Sequence, residues 1–290
     1  MEGSRNARAA SNAAVLLIAL FASGLHAQEA APAPQVANAV PRQDTTPLAA
    51  MRRARDAQIG ARELDNALKS AKELIAVQQQ TPHDVAYAVD LAALGRVHAE
   101  LRDIEAAEAR YLEAIEIIAK AEGEFSPTLI DIYRGLGRSY IRGARYPQAI
   151  AALETAQNIS QRNLGLFNVE QSPLLDDITT AYLGLGNTIE AQQRQLDRLD
   201  NAVRRFGADD PRVFPFRYVL ANYYARSRLP ESASKQYEEV LKSEEKTRGE
   251  TDASLLGPLR QLVRIDLLLT QVTKTERRDR LAALLAQHPD

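Results

Sequence analysis

Neither cysteine nor tryptophan occurs among the 290 residues, and histidine occurs only four times. Without cysteine the chain has no disulfides, no thiolate metal sites, no thiol redox chemistry and no lipid-modified amino-terminal cysteine, so its stability must come from packing. Charge of one sign is missing too. The formal net charge is −2, from 36 basic and 38 acidic side chains. A nucleic-acid binder neutralises phosphates with a basic surface, and this near-neutral balance excludes that class of partner. Catalytic motifs are equally scarce. The chain has no His-x-x-x-His, no glycine-rich phosphate loop and no Gly-x-Ser-x-Gly turn. No convergent set of nucleophile, base and electrophilic stabiliser can be assembled from what remains, so a non-enzyme without catalytic, cofactor or metal residues is expected. His26 lies in an apolar leader, His83 and His288 lie near helix ends, and His98 stands at a position that reads as helix packing.

The apolar run over residues 13 to 22 is too short to span a bilayer, which takes about 20 residues. Arg5 and Arg8 precede it and Leu25-His26-Ala27 follows, so residues 1–27 read as an export signal cut before Gln28; left uncut, the same stretch would be an anchor. Cleavage removes Glu2, Arg5 and Arg8, leaving 34 basic against 37 acidic side chains and no stable membrane insertion. The mature chain is expected to be exported: periplasmic in a Gram-negative bacterium, otherwise secreted. Residues 28–46, with Pro32, Pro34 and Pro41 among many alanines, read as a flexible linker.

What the chain has in abundance is periodicity. Leu94, Gly95 and His98 return 42 residues later as Leu136, Gly137 and Tyr140, then as Ile178 and Tyr182, then as Leu220 and Tyr224. Gly123, Gly165, Gly207 and Gly249 keep the same interval, as do Ala107, Ala149, Ala191 and Ala233. A fixed period of this length means stacked supersecondary units, none of which buries its apolar face alone. A capping residue stands before proline at Thr46-Pro47, Thr81-Pro82, Ser126-Pro127, Ser172-Pro173 and Asp210-Pro211, which marks helix starts. Between starts there is room for two helices. In one unit they are expected from about Pro127 to Arg142 and from about Pro147 to Gln161. Pro215 should interrupt a helix begun at Pro211, giving a short turn before the main helix. The glycine ladder falls after each second helix, where a left-handed closing residue is expected.

The unit resembles the tetratricopeptide repeat, W-x2-L-G-x2-Y, then A-x3-F, then P. Leu91, Leu94, Gly95, His98, Ala107, Tyr111 and Ala114 carry the resemblance in one unit; Tyr133, Leu136, Gly137, Tyr140, Ala149, Leu153 and Ala156 carry it in the next. The third unit departs by placing Gln195 where an aromatic is usual, the fourth keeps Tyr224 and Tyr237, and the fifth, around Leu262, has drifted furthest. The 42-residue length is similar to the long repeats of kinesin light chains. The resemblance implies an all-α fold, a right-handed α-solenoid of antiparallel helix pairs. Residues 47–80 would be a leading pair, 81–250 four units, and 251–290 a degenerate fifth unit and cap.

The resemblance also implies that the first helix of each unit lines a groove. Arg96, Arg138, Thr180, Asn222 and Arg264 then face inward, with Arg134, Asp176, Tyr218 and Arg260 one turn earlier. Arginine forks bind carboxylates and asparagine can hold an extended backbone, so a protein or peptide partner is expected there. Phe214 or Tyr218 is expected to be exposed by the Pro215 break as an anchor. Adjacent carboxylates at Asp176 and Asp177, and at Glu244 and Glu245, read as solvated surface. The alternative function is self-association, in which end helices or apolar ridges build a homo-oligomer.

Overall fold

The computed structural model describes residues 46 to 79, 84 to 269 and 275 to 289. The expected signal, all but the last residue of the linker, the Thr81-Pro82 start and His83 lie outside the described residues. The described residues form one compact unit. It contains α1 (Pro47–Gly60), α2 (Leu64–Gln78), α3 (Val85–Glu100), α4 (Ile104–Glu122), α5 (Thr128–Arg142), α6 (Tyr146–Leu164), α7 (Ser172–Gly184), α8 (Thr188–Phe206), α9 (Phe214–Arg226), α10 (Pro230–Arg248), α11 (Leu256–Leu268) and α12 (Thr275–Gln287). Each helix packs on the next, and the first helices α3, α5 and α7 also touch one another in order. This is the expected α-solenoid of helix pairs. Among the described residues no helix is long and apolar enough to cross a membrane.

Local chemistry accounts for most boundaries. The side chains of Thr46, Asp84, Asp103 and Asn187 accept hydrogen bonds from amides in the first turns of α1, α3, α4 and α8. Ser126 likewise accepts from the Thr128 amide. Ser172 does not cap. It is already helical, its hydroxyl donates to the Val169 carbonyl, and Asn168 caps the 3-10 turn Val169–Gln171 that precedes α7. Asp210 caps a second such turn, Pro211–Val213, and α9 starts at Phe214 with Pro215 in its first turn, where proline loses no hydrogen bond. The residues beyond a standard repeat lengthen the second helices: α4, α6, α8 and α10 each have 19 residues, and α6 runs past Gln161 to Leu164.

The glycine ladder closes those helices, but not in the left-handed helical conformation. Gly123, Gly165, Gly207 and Gly249 have φ between +91° and +93° and ψ between 150° and 164°. Only glycine enters this extended region at positive φ readily, which explains the ladder more strictly than a helix cap would. The left-handed turn lies elsewhere, between the helices of a pair, at Arg102, Ala144 and Arg228, with φ from 55° to 66°, and at Gly186 with φ 81°.

Ala107, Ala149, Ala191 and Ala233 are fully buried where paired helices meet. A Cβ on Gly137 would stand 2.5 Å from the Leu153 side chain, and one on Gly95 would stand 3.1 Å from the Ala107 carbonyl, so the Leu-Gly pair sets how closely the two helices approach. The ends are held by ions. Asp90 on α3, 1% exposed, takes Arg52 through two nitrogens, Arg55 at 2.8 Å and Gln78 at 3.0 Å, tying α1 and α2 to the array. At the other end Arg277 and Arg280 of α12 reach Asp266 on α11 and Glu238 and Glu245 on α10.

Candidate functional site

The second helix of each pair carries a side chain that fills the space toward its partner and the next unit. In three units this is Tyr111, Leu153 and Tyr237, all buried. Tyr111 lies over Gly135 of the following unit, and Tyr237 packs edge-on to Tyr218 with ring centroids 5.4 Å apart. Burial pushes the hydroxyls of Tyr111 and Tyr237 up to about 12; nearby arginines pull the other way in both, and Tyr111 is also opposed by Ser139. Both phenols are therefore neutral packing groups. In the third unit the same position is Gln195, 4% exposed, which donates to Thr179 at 2.9 Å and Asp176 at 3.2 Å.

A glutamine fills less space than a tyrosine and turns toward polar partners on its own pair. Between α7, α8 and α9 this leaves a cleft of about 790 Å³. Asp176, Thr180 and Asn222, all expected in the groove, line it. So do the exposed apolar side chains of Leu183, Ile189 and Leu229, which come from the end of α7, the start of α8 and the α9–α10 turn. Arg226 adds a cation that forms no ion pair among the described residues.

The other expected groove residues fall into separate places. Arg96, Arg134 and Arg138 line a depression of about 380 Å³ between α3 and α5. Arg134 is engaged there by Asp177 at 2.6 Å, while Arg138 stands 3.9 Å from the same carboxylate. Asn222 and Arg264 line a third hollow of about 350 Å³ between α9 and α11. Tyr218 is turned into packing against Tyr237, and Arg260 is exposed on α11 outside these hollows. Asn222 and Arg226 line both the third hollow and the α7–α9 cleft, so on the first-helix face an arginine-rich set between α3 and α5 stands apart from a set that runs from the cleft to α11.

Three expectations are corrected. Phe214 is 4% exposed and is core, because the 3-10 turn ahead of α9 rotates it inward. Asp176 and Asp177 are not free solvated carboxylates: Asp177 holds Arg134, and Asp176 holds Arg198 at 2.7 Å. Glu244 is half-buried and burial raises its carboxyl above the usual range against the pull of Arg248, while Glu245 accepts from Arg280. His98 packs partly buried beside Asp103. Among the described residues no group of three His, Asp or Glu side chains is placed to hold a metal ion. Thr179, Gln195, Leu183 and Ile189 were not expected in a site. Gln195 alone signalled it, as the polar residue at an aromatic position.

Residues 86–162 match the family described as tetratricopeptide repeat. No curated protein matches the chain. Among solved structures, BtubC (BKLC) from P. vanneervenii is similar at 20% identity, over 83% of this chain and 94% of that one, with a TM-score of 0.53. A Podosopora anserina putative kinesin light chain with nearly identical TPR-like repeats is similar at 18% identity, over 72% and 100%, with a TM-score of 0.55. The apo form of RapI is similar at 13% identity, over 84% and 65%, with a TM-score of 0.59. At these identities the likeness concerns the fold.

Proposed function

We propose that this array of tetratricopeptide-type repeats is an exported docking scaffold, and that a segment of a partner protein lies against its first-helix face with its main seat in the cleft between α7 and α9. A tetratricopeptide fold serves protein–protein interaction, because a solenoid presents a long surface that no single globular unit offers. The observation that carries the reading is the cleft itself. It combines polar groups able to fix a backbone, Thr180 and Asn222, with the exposed apolar rim of Leu183, Ile189 and Leu229. Export is supported by Arg5 and Arg8 before the apolar run of residues 13 to 22.

The test is affinity capture from an envelope extract with the mature protein against Thr180→Arg/Asn222→Arg, which fills the cleft with charge. A partner captured by the wild type and lost from the double variant supports the reading, and an unchanged set of captured proteins contradicts it. Self-association is the second reading, favoured by the exposed Leu267 and Leu268 at the end of α11. Light scattering over a range of concentrations decides it, since a mature protein that stays monomeric is incompatible with a homo-oligomer.

A further inference from the structure

Among the described residues the buried apolar side chains form four clusters, and the two largest are separated within the third repeat. One buried cluster extends from α2 to α7 and ends on Leu174, Ile178 and Ala181. A second comprises α9, α10 and α11, and the apolar side chains that α8 contributes, Leu196 and Leu199, pack on it. The third pair meets at the buried Ala191, but Leu174 and Ile178 of α7 and Leu196 and Leu199 of α8 pack into different cores.

Between them the sequence has replaced the residues that would join those cores. Tyr111, Ala114 and Ile117 of α4 and Leu153, Ala156 and Ile159 of α6 correspond, at steps of 42, to Gln195, Arg198 and Asn201 of α8. Spaced three apart, these share one helix face. That face is polar but not exposed: Gln195 and Asn201 are buried, and the Arg198 side chain is only 15% exposed. Its hydrogen bonding is incomplete, for Gln195 Oε1 and the Nε atoms of Arg194 and Arg198 are buried without a partner. Buried polar atoms left unpaired favour separation, since water would satisfy them. The turn joining the pair contains Gly186, at φ 81° with open space where a Cβ would stand, where the other pairs have Arg62, Arg102, Ala144 and Arg228; Gly184, the last residue of α7, is packed against Tyr146.

We infer that the array is two blocks, α1 to α7 and α8 to α12, hinged at the α7–α8 turn, so that the cleft between α7 and α9 changes width as the polar seam opens and closes. Most other junctions are packed with apolar side chains that bending would expose to water; at this seam bending exchanges the hydrogen bonds of Gln195 and Arg198 to Thr179 and Asp176 for bonds to water and hydrates the atoms that lack partners. The inference stands on packing and holds whether or not a partner docks in the cleft.

Because the chain has no cysteine, paired spin labels can be placed without background. Lys120 on α4 and Lys242 on α10 are exposed and report across the seam; Lys72 on α2 and Lys120 report within the first block. In the mature protein the 120–242 distance distribution should be about twice as broad as the 72–120 distribution, as a hinge requires. In Gln195→Leu/Arg198→Ala/Asn201→Ile, which gives α8 the face of α6, the two widths should become equal. Gln195→Leu alone, which leaves Thr179 donating to the Leu175 carbonyl and Asp176 bound to Arg198, should narrow the first distribution part of the way and serves if the triple variant does not fold. Equal widths in the wild type, or a broad 120–242 distribution that survives the replacements, would overturn the hinge.

Discussion

Asp90 shows how much one buried charge can carry. Burial alone would raise its carboxyl, but hydrogen bonds from Arg52, Arg55 and Gln78 outweigh that and hold it below the ordinary range. Asp90→Asn keeps the shape and removes the charge, leaving Arg55, 5% exposed, without its buried counter-ion. A loss of about 3 kcal/mol in urea unfolding is expected, as for other buried pairs broken on one side. A folded carboxyl held below its unfolded value contributes stability that is fully present above the unfolded value and disappears as pH falls through the folded one. Stability should therefore decline on acidification below about pH 4 and decline less steeply in Asp90→Asn. Backbone strain gives an opposed pair of tests. Ala144 occupies φ 55°, so Ala144→Gly should stabilise by about 1 kcal/mol. Gly207 has open space around it but φ 93° and ψ 150°, so Gly207→Ala should cost about 1 to 3 kcal/mol through its backbone alone. Thermal melts of the two variants should shift in opposite directions.

Among the elements, the second helices set the difference between a filled and an open junction. Tyr237 on α10 is fully buried, lies against Tyr218 and donates its hydroxyl to Asn222 at 2.8 Å. Tyr237→Gln would impose on the fourth unit what Gln195 imposes on the third, and a loss of about 3 kcal/mol is expected from emptying an aromatic site. The repeat of 42 made the pairing of helices and the buried alanines legible in the sequence, since spacing alone determines which residues share a face. The starts at Pro47 and Pro127 were legible from the capping residue that stands before each proline. Ser172 was misjudged because a 3-10 turn ahead of α7, invisible to a pattern of caps and prolines, took the capping role to Asn168. The polar seam was half legible. Gln195 stood out as a departure, but that Arg198 and Asn201 join it needed the register of α8 against α7.

At the scale of the whole molecule, the first-helix face is a series of hollows with different linings: arginine-rich between α3 and α5, mixed polar and apolar between α7 and α9. The groove residues were legible as a face, because the period aligns them, but not as separate sites, because side-chain pairing such as Arg134 with Asp177 depends on contacts 43 residues apart. Mass spectrometry of the mature chain should find Gln28 at its amino terminus if the leader is cut where proposed, and a mass that includes residues 1–27 would contradict cleavage. Recognition on the first-helix face, centred on the α7–α9 cleft, is decided by photocrosslinking in cells, with a photoreactive phenylalanine placed in turn at positions 96, 138, 180, 222 and 264 and at the second-helix positions 120 and 242. Crosslinks to one partner, strongest from 180 and 222 and absent from 120 and 242, are predicted; crosslinks that favour the second-helix positions, or none from 180 and 222, would contradict it.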